Sequence, residues 1–183
     1  MFDMIKGAIG GLFANQPDQS TNPHASMQQK QAFGKSQRHM EDYAGKNVIV
    51  TGATGAIGSK VCRKLKKAGV RTLVMFIRNK DRFDVKTYEQ LFGNESITNV
   101  ATIECDFCEP QYIEQKFTQV MKQNLKGQLD HMFLCHGLVT DFNVSQCDLP
   151  EFDTALKVNV RSCVHLCSLA FPFMKENVKN KHH

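Results

Sequence analysis

The sequence has no apolar run approaching the ~18 residues that a membrane-spanning helix needs. It also lacks a strong charge imbalance: 23 Lys and Arg stand against 18 Asp and Glu, a formal net charge of +5. That excess weakly favours small anionic ligands and falls short of the dense basic stripe with which proteins hold nucleic acid. No secretory h-region accompanies the seven scattered cysteines, so reduced thiols in a cytoplasmic compartment are expected, with a mitochondrial or cytoskeletal assembly as the alternative. Cys105-Asp-Phe-Cys108 has no second C-x-x-C to complete it, and no His pair sits at zinc spacing, so no metal is expected. Cys105, Cys163 and Cys167 read instead as buried small hydrophobes. No solenoid-type repeat is present. What remains is 42% hydrophobic and 22% charged, the balance of a packed core rather than of disorder.

The chain divides near residue 45. Residues 14–40 are rich in Gln, Asn, Ser and Pro and show no hydrophobic period, which reads as an extended arm. Ahead of it, Phe2, Ile5, Ile9, Leu12 and Phe13 recur at helical spacing opposite Asp3 and Lys6. Gly7, Gly10 and Gly11 weaken that helix, and so short a stripe cannot offset the entropy of ordering its own backbone. It needs a surface to dock on. A protein partner for residues 1–13 is the expectation, with docking on the chain's own domain as the equal alternative; a membrane fits less well, because a single Lys lies on the polar face.

From residue 46 to 183, β-branched apolar runs alternate with amphipathic stretches. Strands are predicted near 47–52, 71–77, 100–105 and 130–135, with helices near 56–68, 83–92, 110–125 and 149–176. Such alternation means a parallel sheet with crossover helices, a doubly wound Rossmann-like α/β fold. The first strand runs into Thr51-Gly52-Ala53-Thr54-Gly55-Ala56-Ile57-Gly58 and then a helix. Gly52 permits a tight turn, Gly55 lets backbone N–H groups approach a pyrophosphate, and Gly58 allows close helix–strand packing. The helix N-terminus adds open donors and partial positive charge, so the segment is a candidate dinucleotide site.

Taken together, residues 46–176 resemble the first half of a short-chain dehydrogenase/reductase. Thr51 to Gly58 match the TGxxGxxG form of that family's cofactor loop. Cys105-Asp106-Phe107 resembles the stretch whose acidic residue bonds the adenine. Residues 127–137 resemble the strand ending in the family's Asn-Asn-Ala-Gly, although here the tetrad is Leu134-Cys135-His136-Gly137. Lys157-Val158-Asn159-Val160 resembles the helix that carries the family's active-site Asn. The resemblance implies an NAD(P)-dependent oxidoreductase, with Thr51, Gly52, Thr54, Gly55, Ile57, Gly58, Arg78, Asp106, Phe107, Cys135 and Gly137 toward the cofactor and Asn159 as the one catalytic position present. Arg78, at the end of the second strand, would suit a 2′-phosphate, so NADP(H) is favoured over NAD(H). The lost asparagines remove braces of the sheet centre, and His136 reads as structural rather than as a replacement acid or base.

The family's Ser and Tyr-x-x-x-Lys do not appear where the resemblance requires them. Tyr112-Ile-Glu-Gln-Lys116 matches in spacing, but it falls on a crossover helix between the third and fourth strands, away from the carboxyl-end crevice. The expected strand order is 3-2-1-4, with strand 4 as an exposed edge that a partner or a continuing chain would cover. The chain is thus expected to be the amino-terminal, cofactor-binding part of a longer oxidoreductase, itself inactive. The alternative is a non-catalytic subunit of the same fold, anchored in a large assembly by its arm.

Overall fold

The computed structural model describes residues 42–82, 99–140 and 148–180, with side chains as far as Met174. The stripe in residues 1–13, the polar arm to residue 40 and the predicted helix near 83–92 lie outside these residues.

Four parallel strands form one sheet in the order β3-β2-β1-β4, as the alternation of elements predicts. They are β1 (Asn47–Thr51), β2 (Thr72–Ile77), β3 (Val100–Glu104) and β4 (His131–Leu134). The two central strands are buried along their whole length, which explains why they read as unbroken apolar runs rather than as alternating ones. Their side chains part to opposite faces with the pleat. Val48, Val50, Leu73, Met75 and Ile77 pack with Cys62 and Leu65 of α1 (Gly58–Lys67). Ile49, Val74 and Phe76 pack on the other face with Ile113, Phe117 and Val120 of α2 (Pro110–Gln123) and with Leu166 and Ala170 of the last helix. Each face therefore carries its own apolar cluster, the physical content of a doubly wound sheet.

The predicted helix near 149–176 is more articulated than its periodicity suggests. It comprises α3 (Leu149–Leu156), a π-helical turn (Lys157–Arg161) and α4 (Ser162–Asn180). Asp148 caps α3 by accepting from the Glu151 amide. The π turn widens the ladder just where Asn159 lies, a common mark of a functional position. α1 begins at Gly58 rather than near 56, so Ala56 and Ile57 belong to the turn.

Two sequence expectations need correction. Tyr43, which the division near residue 45 leaves outside the α/β part, sits in a turn, and its ring packs edge-on against His131 (centroids 5.0 Å) and near Phe133 (5.9 Å) of β4. Cys167, expected to be buried, is exposed, because α4 turns Leu166 and Ala170 to the sheet instead. Cys105 is buried as expected, and burial pushes its thiol up to about 12, as it does that of Cys62.

Candidate functional site

The carboxyl ends of the four strands converge on a cleft of about 450 Å³. Its first wall is the turn between β1 and α1. Gly52 has φ +58°, and a Cβ there would lie 2.7 Å from the Cys135 carbonyl oxygen and from His136 backbone atoms. A side chain is excluded on both counts. A Cβ on Gly58 would fall 2.2 Å from the Gly52 carbonyl oxygen, so the start of α1 is pressed against the turn's own backbone. Around Gly55 the space is open; only Gly52 O, at 3.2 Å, would crowd a Cβ. No side chain caps α1, and its first turn holds no acid, which leaves the helix's positive end unneutralised.

The second wall follows β2 and β3. Arg78 is exposed beside the cleft and makes no hydrogen bond or ion pair with another described residue. Asp106 closes an Asx turn, its Oδ1 accepting from the Cys108 amide at 2.9 Å, and stays exposed. Phe107 is turned inward and stacks on His136 with centroids 4.0 Å apart. The Arg161 guanidinium donates to the Cys108 carbonyl and so ties the π turn to this loop.

The third wall is the segment after β4. Asn159 clamps it with two bonds to one residue: Oδ1 accepts from the Leu138 amide at 2.7 Å, and Nδ2 donates to the Leu138 carbonyl at 2.8 Å. His136 is half-buried beneath, its Nδ1 2.6 Å from Thr51 Oγ1 and its Nε2 2.6 Å from Ser162 Oγ. Burial holds its imidazole below the ordinary histidine range, more than a backbone contact at Val158 raises it.

Of the residues singled out in the sequence, Gly52, Thr54, Gly55, Arg78, Asp106, Phe107, Cys135 and Gly137 all line this one cleft. Thr51 and Gly58 lie buried under the turn. Ile57 is 70% exposed and does not face the cleft. Asn159 acts on the lining through Leu138. Cys108, Leu138, Thr154 and Val158 line the cleft without having been singled out as site residues; nothing in their residue types marks them. Tyr112 and Lys116 sit on α2, the Lys116 ammonium 5.0 Å from the Tyr112 ring centroid, and neither lines the cleft.

A glycine turn and an uncapped helix start that offer backbone donors, an arginine unpaired among the described residues and an exposed carboxylate that can accept, all at the sheet's carboxyl edge, fit an adenine dinucleotide. Known proteins agree. The chain is 26% identical over 137 residues to the hydroxysteroid 11-beta-dehydrogenase 1-like protein of Xenopus tropicalis, covering 75% of this chain and 46% of that protein. It is 26% identical over 132 residues to versicolorin reductase 1 of Aspergillus parasiticus, covering 72% and 48%. It thus spans about half the length of these relatives. A short chain dehydrogenase from Mycobacterium smegmatis superposes with a TM-score of 0.63 at 25% identity, over 73% of this chain and 53% of that one. The profile of the short chain dehydrogenase family matches residues 46–181. With the glycine turn, the strand order and the Asn159 helix all in place, the chain belongs to the short-chain dehydrogenase/reductase family of oxidoreductases.

Proposed function

We propose that this chain is the NADP(H)-binding part of an oxidoreductase whose proton donor it does not itself supply. The observation that carries the reading is the gathering of Gly52, Gly55, Arg78, Asp106 and Gly137 around one cleft at the carboxyl edge of the sheet. The bare turn and the start of α1 would hold the pyrophosphate, Asp106 the adenine, and Arg78 a 2′-phosphate. A nicotinamide cofactor supplies hydride when bound. Reducing a carbonyl further needs an acid within hydrogen-bond reach of the developing alkoxide. Tyr112 is on α2 and outside the cleft, so the chain alone should not turn over.

Calorimetry with NADPH and NADH tests the preference: NADPH should bind more tightly, and Arg78→Ala should bring the two affinities together. NADH binding equal to that of NADPH, or an Arg78→Ala variant that keeps the preference, would refute it. Turnover by the chain that disappears in Tyr112→Phe would overturn the assignment of the missing donor.

A second reading, a non-catalytic subunit of the same fold held in an assembly through residues 1–13, draws on one feature. Leu149, Leu156, Val160, Val164 and Phe171 are exposed apolar side chains along α3, the π turn and α4, a face that suits a protein partner.

A further inference from the structure

The ring of His136 joins the end of β1 to the start of α4. Nδ1 lies 2.6 Å from Thr51 Oγ1 at the end of β1, and Nε2 lies 2.6 Å from Ser162 Oγ at the start of α4. Its face lies on Phe107, with planes 17° apart. The fixed acceptors dictate the order of protons. Ser162 Oγ is 2.6 Å from the Val158 carbonyl, which can only accept, so the serine donates there and accepts from Nε2–H. Nδ1 is then the bare acceptor and takes the Thr51 hydroxyl proton. Thr51 Oγ1 in turn accepts from the Cys135 amide at 3.1 Å. The network assigns a neutral imidazole protonated at Nε2.

We propose that His136 is the positioning residue of the cleft, setting the spacing between the glycine turn that follows Thr51 and the π turn that carries Asn159, and through it the nucleotide affinity. The proposal rests on the dinucleotide reading above. Both walls lead back to this residue. Gly52 follows Thr51 directly and packs on the His136 backbone, and Asn159 clamps Leu138, two residues beyond His136. A proton added at Nδ1 obliges Thr51 to withdraw its donor bond and turn its hydroxyl toward the Phe133 carbonyl at 3.4 Å, a poorer bond.

The groups against the ring are Thr51 from β1, Phe107 from the loop after β3, Ser162 and Cys163 from α4, and Val158 from the π turn. None is a carboxylate that would compensate the charge. The Cys163 thiol, 3.6 Å from Nε2, is held above its ordinary range by burial and stays neutral. The charged residues of these elements nearest in sequence, Asp106, Lys157 and Arg161, are exposed to solvent. Nucleotide affinity should fall as His136 is protonated, because the Thr51 rearrangement shifts the turn that carries Gly52 and outweighs the attraction of the new charge for the pyrophosphate.

NAD+ is the suitable probe, because it lacks the 2′-phosphate monoester, which itself titrates near about 6. Its affinity is measured by calorimetry from neutral to mildly acidic pH for the wild type, His136→Phe and Ser162→Ala. His136→Phe keeps an aromatic face on Phe107 and removes both hydrogen bonds; Ser162→Ala removes one acceptor in a helix that tolerates Ala. NMR of the labelled imidazole reads the tautomer directly. The Nε2–H form should be seen, and wild-type affinity should fall with acid. His136→Phe should bind roughly tenfold more weakly at neutral pH, with no such acid dependence, and Ser162→Ala should lie between the two. Wild-type affinity and an unchanged acid slope in both variants would overturn the proposal alone. NADP+ is titrated beside NAD+, and failure of the wild type to bind either nucleotide at any pH would instead sink the dinucleotide reading beneath the proposal.

Discussion

The two ends of the sheet carry clefts of similar size, about 410 Å³ at the amino edge and about 450 Å³ at the carboxyl edge, so volume does not separate them. What their polar groups are doing does. At the amino edge they are spent on one another. Arg71 donates from Nε to Asn47 Oδ1 and from Nη2 to Gln128 Oε1, both at 3.1 Å. Asn47 donates from its side chain to the Gln128 carbonyl at 3.1 Å and from its amide to Asp130 Oδ2 at 2.9 Å. This web staples β1 to the approach of β4. At the carboxyl edge, side chains are removed where backbone must be bare, and Arg78 is left without a described partner. One end is a structural seam, the other the proposed receptor.

Substitutions should separate the two ends in kind as well as in size. The largest effect is expected at Gly58→Val, whose Cβ would lie 2.2 Å from the Gly52 carbonyl oxygen with backbone on both sides and nothing flexible to yield. The strain should cost about 3 kcal/mol or more and leave little folded protein by urea titration. A variant that keeps wild-type stability would show that the turn is not packed as described. Asn47→Ala comes next. It removes the two bonds of the web that the Asn47 side chain makes, to the Gln128 carbonyl and from Arg71 Nε, and should cost about 1–3 kcal/mol, yet leave nucleotide affinity unchanged once folded. If it weakened binding instead, the seam and the receptor would not be separate.

A smaller effect should follow pH. The folded-state imidazole of His136 is held below its ordinary value by burial, so the unfolded chain accepts a proton that the folded chain refuses. The stability from this group is fully present above about 6.5 and is lost as pH falls toward the folded value, with a slope of at most about 1.4 kcal/mol per pH unit. Urea midpoints of the wild type and His136→Phe should converge on acidification; parallel curves would exclude His136 as the source. Smallest of all is Arg78→Ala, which should leave stability within about 0.5 kcal/mol, because the side chain is exposed and makes no hydrogen bond or ion pair with another described residue.

The sheet was legible in the sequence because its four strands are short apolar runs separated by amphipathic helices, and right-handed parallel crossovers leave few ways to order them. The glycine turn was legible for a related reason: a strand, a Gly-rich turn and a helix are consecutive in the chain, so one window of sequence holds the whole device. The role of His136 was only half legible. Its partners Thr51, Phe107 and Ser162 come from three other segments, and the residue type alone says nothing about which hydroxyls will meet its nitrogens. The place of Tyr43 was hidden in the same way, since it depends on a strand far along the chain. The π turn and the Asn159 clamp leave no periodic trace, because one extra residue in a helical turn barely disturbs the apolar pattern.

The carboxyl edge, and not the amino edge, is proposed to receive the dinucleotide. Amide chemical shifts of the isotope-labelled chain during titration with NADP+ test it directly. Shifts should concentrate at Gly52, Gly55, Arg78, Asp106 and Gly137, while Asn47, Arg71 and Gln128 stay where they are. Perturbation centred on Asn47, Arg71 and Gln128, or none anywhere at saturating nucleotide, would contradict it.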